Sequence, residues 1–267
     1  MTQNGQVEIH PLAYVHPKAE LGVGVTVGPF AVIEEHVKIG DNSIIHTHGI
    51  VRSYTTMGKE CVVHPHAVVG DIAQDFKYKG ERSYTEIGDN CTFREGSTVH
   101  RGTTAESVTN LGNRVYMLAQ AHVAHNCVVG DRVLLVNGSA LGGYVEVAEC
   151  AFVSAFVGVH QFSKIGAYSL IAADTKIDLD VPPFVIIDGY PRAICKLNRI
   201  GMERNGFSKE DADLIEAAYI GISKAEHHMA AGRELANAEN PLLRRIGEFY
   251  QHSARGVIHR FNFAGEQ

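Results

Sequence analysis

Two histidines three residues apart, His122 and His125, stand in the stretch AHVAHNC at residues 121–127. Three readings suit such a pair: ligands to a zinc ion, a general base with a substrate-binding neighbour, or two solvated imidazoles without a task. A neutral imidazole, with an ordinary pKa of about 6.5, is matched to lifting a proton from a hydroxyl near pH 7. Spacing alone does not choose, because an i,i+3 pair shares one face of a helix but points to opposite sides of a strand. The elements that carry the pair must decide.

Composition narrows the field first. The chain has 267 residues and a net charge of −6, with no basic footprint for nucleic acid. Its apolar runs are broken by Gly, Asp or Lys well short of the roughly 20 residues that span a bilayer. The start, MTQNGQVEIH, lacks the basic end and apolar stretch of a secretory signal, so a cytoplasmic protein without a transmembrane segment is expected. Cys61, Cys91, Cys127, Cys150 and Cys195 form no C-x-x-C pair, which points to buried thiols rather than a disulfide framework or a thiolate zinc site.

Large apolar residues recur every six positions, from Ile9, Val15, Leu21, Val27 and Ile33 onward to Ile177. Of the 29 positions in that phase, only Asp75, Glu81 and Ala105 break the series. A period of six is neither the 3.6 of a helix nor the two of one alternating strand, and it suits short strands joined by tight corners. Glycines directly after many of these residues, such as Gly22, Gly28, Gly40 and Gly58, agree with sharp turns. If three hexads close one coil, residues 18 apart stack about 4.8 Å apart along the ladder. Residues 9–177 would then give somewhat under ten coils, with one continuous apolar interior.

Two stretches interrupt the series, roughly 73–85 and 103–110; loops thrown from a rigid solenoid are where binding groups tend to sit. After Ile177, Pro182 and Pro183 are expected to end the ladder. A helix is expected from a capping box at Ser208 and Asp211, with Leu214, Ile215, Ala218, Tyr219 and Ile222 on one face. A second begins near Asn240-Pro241, with Leu242, Ile246, Phe249 and Tyr250 as its stripe and Gly256 near its end.

On this scheme His125, Gly143 and Gln161, spaced by 18, form one vertical line on adjacent coils. His122, next to the inward-pointing Val123, is displaced from that line but within reach of a bound molecule. His100 and His160 each follow an apolar residue of the series and are expected in corners. The Gly143 N–H, one coil from His125 and without side-chain bulk, is suited to stabilising an oxyanion in acyl transfer.

The segments GDIAQDFKYKGE, REGSTVHRGT, AHVAHNCVVGD, VGVHQFSKIGA, DVPPFVI and RNGFS resemble the UDP-N-acetylglucosamine acyltransferase family that opens lipid A synthesis. The similarity covers nearly the whole chain. It implies a mainly β protein: a hexapeptide-repeat, left-handed parallel β-helix shaped like a triangular prism over 1–190, then a C-terminal helical domain over 191–267. It implies a homotrimer with sites between adjacent prisms, which moves a 3-hydroxyacyl chain from acyl carrier protein to the 3-hydroxyl of UDP-N-acetylglucosamine. No cofactor is implied beyond the acyl carrier protein thioester as co-substrate. By the same resemblance His125 is the general base and Gly143 the oxyanion donor. Asp75, Lys77, His100, His122, His160 and Gln161 line the sugar and acyl pockets, and Asn198 and Arg204 hold the nucleotide end, where a guanidinium suits phosphate.

Five positions depart from that family's pattern. Asn126 stands where an acidic residue is common, Tyr144 where a histidine is usual, Ile200 where an acid is usual and Asn205 where a second arginine is usual. Asn126 can orient an imidazole but cannot stabilise imidazolium as a carboxylate does. Ala173 occupies a position that helps set acyl length and is often glycine, which predicts a somewhat shorter chain here. The departures motivate two other readings: a paralogue acylating a different nucleotide sugar, such as an amino sugar, and a prism kept as a scaffold without catalysis. From another class, a γ-type carbonic anhydrase uses the same prism, with three histidines around zinc; His100, His122 and His125 are the ligands it would need.

Overall fold

The computed structural model describes residues 6–189 and 192–261. In it the six-residue period becomes a succession of strands, most of them two residues long, such as Thr26–Val27, Val32–Ile33 and Lys38–Ile39. Consecutive strands visit three sheets in turn, of 11, 9 and 8 strands, so each sheet is one face of a triangular prism. Glu8–Ile9, Tyr14–Val15 and Glu20–Leu21 open the first, second and third faces. The chain is a left-handed parallel β-helix with a helical C-terminal region.

Pairs such as Thr26↔Ile44 and Ile44↔Val62 step by 18 residues. The step lengthens to 30 at Val62↔Thr92 and to 24 at Thr92↔Tyr116, then returns to 18 at Tyr116↔Leu134. The two excursions therefore absorb residues that the simple period assigns to coils. Through Ile177 this gives eight complete coils and two faces of a ninth, fewer than the simple period assigns to residues 9–177.

From Val27 onward the large apolar residues of the series point inward and are buried, among them Ile33, Ile45, Val63, Phe93, Val123 and Leu141, whereas Ile9 in the first coil is 47% exposed. Burying each is worth about 1.5–3 kcal/mol. A second inward position at each corner takes a side chain no larger than valine: Ala31, Val37, Cys61, Ala67, Cys91, Val115, Ala121 and Cys127 are all buried. Three cysteines thus sit where the sequence suggests, whereas Cys150 and Cys195 are partly exposed. Most corners are closed by a residue in the left-handed region, such as Gln120 (φ 60°), Asn126 (φ 60°), Tyr144 (φ 60°) and Phe162 (φ 64°). None of these four is β-branched, the type for which that conformation is most costly. Ladder bonds such as Tyr144 N–H to the His125 carbonyl, 3.0 Å, hold the bend.

Pro182 and Pro183 do not end the sheet. They lie in the corner between the third and first faces, where no ladder N–H is needed, and the chain then rejoins the first face. Val185–Asp188 pairs with Leu170–Ile171, and Ala193–Leu197 adds an antiparallel strand outside it. The expected domain boundary between residues 190 and 191 falls outside the described residues.

Among the described residues four α-helices follow: α1 (Arg199–Arg204), α2 (Lys209–Lys224), α3 (His228–Glu234) and α4 (Pro241–His252). The Ser208–Asp211 capping box starts α2, which buries Ala212, Ile215, Tyr219 and Ile222. The Asn240 side chain caps α4, which ends at His252 and short of Gly256. Asp180 clasps this region to the last coil, accepting from Lys164 N–H at 2.8 Å and Ser253 Oγ at 2.6 Å. Burial pushes the Asp180 carboxyl above its ordinary pKa.

Candidate active site

Both excursions leave the prism at the corner between the second and third faces. The first follows Val68–Asp71 and the second follows Thr98–His100. The next coil along places His125 in the same corner, between His122–Val123 and Val128–Val129. The loops therefore stand over one edge of the prism, directly beside this histidine.

An Asx turn shapes the first loop: Asp75 Oδ1 accepts the Lys77 N–H at 2.8 Å. Its Oδ2 is left 3.5 Å from His125 Nε2. An open cavity of about 870 Å³ lies there, lined by Asp75, Lys77, His122, His125, Gly143, His160, Gln161 and Lys176 among others. His125 is itself buried, at 6% exposure, and the Tyr144 ring meets it edge-on at 5.4 Å.

His125, Gly143 and Gln161 stack on adjacent coils, as their spacing predicts. A Cβ on Gly143 would lie 2.3 Å from His125 Cε1 and 2.6 Å from Nε2. Only glycine lets the imidazole lie across this backbone. Tyr144 N–H bonds the His125 carbonyl and Phe162 N–H the Gly143 carbonyl, while the Gly143 N–H has no acceptor among the described residues. A base and an unused amide donor thus share one short stretch of wall.

His122 projects from the second face, its Nδ1 2.8 Å from Thr98 Oγ1 on the preceding coil. His100 lies at the end of strand Thr98–His100 rather than in a turn, because its residue still pairs with Asp71 across a bulge. Its Nδ1 lies 2.6 Å from the Ile72 carbonyl, which can only accept, so Nδ1 carries the proton. The two rings meet edge-to-face at 5.1 Å. Burial pushes the His100 pKa down; burial, then the nearby His100 and His125, pushes that of His122 down to about 4. Both are neutral at pH 7, fitted to hydrogen bonding rather than to holding charge. His160 is exposed, with Nδ1 3.1 Å from the Gln161 carbonyl.

Three of the sequence-predicted residues lie elsewhere on the chain. Asn198 is buried and caps α1, with Oδ1 accepting from Gly201 N–H at 3.1 Å and Nδ2 donating to the Tyr168 carbonyl at 2.8 Å. Arg204 is exposed in the last turn of α1. That helix runs along the corner between the third and first faces, where Asn205 Oδ1 accepts from Arg132 at 3.3 Å. Ile200 projects from the same helix, 65% exposed. Ala173 is exposed in the turn between Leu170–Ile171 and Lys176–Ile177, at the corner of the first and second faces.

The structure adds three residues that sequence reasoning missed. Lys176 lines the cavity and stands three coils beyond His122 on the same outward column, as their separation of 54 residues would have shown. Arg255 donates to the Gln161 carbonyl at 3.0 Å and the Asp178 carbonyl at 3.2 Å; no sequence signal links that segment to the site. Thr103, inside the second excursion, bonds Asn126. Among the described residues, no group of three His, Cys, Asp or Glu side chains is placed to hold a metal ion, and no helix is long and apolar enough to cross a membrane.

Comparison with known proteins agrees with this architecture. Residues 180–258 match the family described as UDP N-acetylglucosamine O-acyltransferase, domain 2. The acyl-(acyl-carrier-protein)-UDP-N-acetylglucosamine O-acyltransferase of Herminiimonas arsenicoxydans is 36% identical over 94% of this chain and 98% of its own. Its namesake from Thiobacillus denitrificans is 37% identical over the same shares. Among solved structures, a UDP-N-acetylglucosamine acyltransferase from Bacteroides fragilis superposes with a TM-score of 0.89 at 35% identity, over 94% of this chain and 99% of that one. Fold and relatives together define the class, the hexapeptide-repeat acyltransferases. Within that class, the chain belongs to the acyl-(acyl-carrier-protein)-UDP-N-acetylglucosamine O-acyltransferase family.

Proposed function

We propose that this chain transfers a 3-hydroxyacyl group from acyl carrier protein to the 3-hydroxyl of UDP-N-acetylglucosamine, as a step in lipid A biosynthesis and in the cytoplasm. The observation that carries this reading is the convergence of His125 Nε2 and the unused Gly143 N–H on one cavity wall. The sugar hydroxyl gives its proton to His125 as its oxygen attacks the thioester carbonyl carbon. The oxyanion of the tetrahedral intermediate accepts a hydrogen bond from Gly143 N–H. Collapse breaks the C–S bond, and the thiolate takes the proton back from the imidazolium, leaving an ester and the carrier thiol. No cofactor enters these steps.

Asp75, beside Nε2, holds a neighbouring sugar hydroxyl and faces the imidazolium when it forms. Lys77 and Lys176 supply positive charge to an anionic nucleotide sugar or to the acidic carrier. His122, His160 and Gln161 shape the sugar and acyl pockets, and His100, outside the cavity lining, packs against His122. Asn198 and Arg204 lie along a different edge of the prism, so they meet a nucleotide bound at His125 only if a second copy of the chain brings them there. In the arrangement we propose, a homotrimer has its sites between adjacent prisms, and Ala173 limits acyl length there.

Asn126, Tyr144, Ile200 and Asn205 support one further reading, in which the acceptor is a nucleotide amino sugar. Assays of the purified protein with both acceptors and a series of acyl carrier protein thioesters distinguish the two. Longer chains preferred over shorter ones would remove the role given to Ala173. Loss of transfer in His125→Ala is expected, and unchanged transfer would overturn the base assignment. Stoichiometric zinc in the purified protein would point instead to the hydratase reading, and absence of transfer to every acceptor would point to a scaffold.

A further inference from the structure

The role given to His125 needs one ring nitrogen bare and aimed at the cavity, and this chain lacks the carboxylate that commonly fixes such a tautomer. Asn126 Oδ1 lies 3.1 Å from His125 Nδ1. The same oxygen accepts the Thr103 N–H at 3.0 Å and the Thr103 hydroxyl at 2.9 Å. Thr103 Oγ1 in turn lies 3.0 Å from the Tyr144 hydroxyl. We propose that Thr103, Asn126 and Tyr144 are positioning residues that lock His125 in its Nδ1–H tautomer and leave Nε2 bare towards the cavity. The proposal rests on the reading of His125 as the general base.

The argument is one of donors and acceptors. A backbone N–H can only donate, so the amide atom facing Thr103 N–H is the oxygen, and the Asn126 side chain cannot turn over without setting N–H against N–H. With oxygen so fixed, Nδ1 must carry a proton to bond it; the other tautomer would set two lone pairs against each other at 3.1 Å. The Thr103 hydroxyl spends its proton on Asn126 and can only accept from Tyr144. Donation therefore runs from Tyr144 to Thr103 to Asn126, and from His125 to the same oxygen.

The relay is anchored on all sides. Thr103 is buried, at 4% exposure, and the Asn126 N–H bonds Thr109 Oγ1 at 2.7 Å. The Tyr144 ring stacks on Phe162 at 4.9 Å and meets His125 edge-on. The second excursion thereby acquires a task, delivering Thr103 to Asn126. An amide gives orientation but no negative charge, and among the described residues the one carboxylate within 4 Å of the ring is Asp75, on the Nε2 side. His100, His122 and Tyr144 also face the ring.

The test is ring NMR of the full-length protein labelled with 13C,15N-histidine at pH 8.5, with the His125 signals assigned by their loss in His125→Ala. The Nδ1–H signature is expected. Asn126→Gly, which suits the left-handed backbone at φ 60°, is expected to give a tautomer mixture and to lower kcat about 10- to 100-fold, with KM changed less than about twofold. Thr103→Val is expected to lower kcat about 3- to 10-fold, and Thr103→Ser to restore it. The double variant should be no slower than Asn126→Gly alone. An Nε2–H signature in the unaltered protein, or Asn126→Gly keeping both tautomer and kcat, overturns the proposal. Full transfer by His125→Ala would instead defeat the base reading, and the NMR result would stand apart from it.

Discussion

At the scale of single residues, one methyl group probes the site. Gly143→Ala sets a Cβ 2.3 Å from His125 Cε1, against a ring already held by Asn126 and Tyr144. The imidazole must move by about an ångström, and kcat/KM is predicted to fall about 100-fold or more, with the melting temperature and circular dichroism nearly unchanged. The buried histidines set an acid limit. His122 binds its proton at an ordinary pKa of about 6.5 in the unfolded chain, but only at about 4 when folded. Between those values the unfolded state holds more protons, so stability is constant above pH 6.5 and falls as pH drops towards 4. The full gap corresponds to about 3 kcal/mol, and His100 acts in the same direction. Urea unfolding at pH 7.5 and 4.5 should show the loss, and His122→Gln should reduce it; equal loss in the variant would reject His122 as the source.

At the scale of elements, the last coil and the helices meet at Asp180. Asp180→Ala removes the acceptor for Lys164 N–H and Ser253 Oγ and is predicted to cost about 1–3 kcal/mol. Hydrogen exchange should quicken first in residues 253–258, since their backbone bonds Asp180. The prism was legible because every coil repeats one constraint: a large apolar residue inward at each face, every six positions. That regularity alone sets His125 and Gly143, 18 residues apart, in line. Asp75 and Thr103 were not placeable in the same way, because their loops leave the period and find His125 and Asn126 through side-chain bonds. The α1 and α3 helices, of 6 and 7 residues, are too short for a helical stripe to show. Pro182 and Pro183 misled for a physical reason, since a proline in a corner breaks no ladder.

At the scale of the whole molecule, one prism carries half of the expected site. Outward residues of the first face, Ile44 and Val62 and, beyond Thr92, Tyr116, Leu134, Phe152 and Leu170, form a mostly apolar strip suited to association, and Asn198 and Arg204, proposed for the nucleotide end, lie on an edge away from His125. Light scattering on the eluting protein should give three times the 29.1 kDa chain mass, and a monomer active at full rate would contradict the shared site. The most direct test of the central claim is transfer itself, followed by mass spectrometry with 3-hydroxyacyl acyl carrier protein and UDP-N-acetylglucosamine as substrates. The account predicts a 3-O-acyl product and free carrier thiol from the unaltered protein, and a loss of about 1,000-fold or more in His125→Ala. Undiminished transfer by that variant, or transfer confined to an amino-sugar nucleotide, would contradict it.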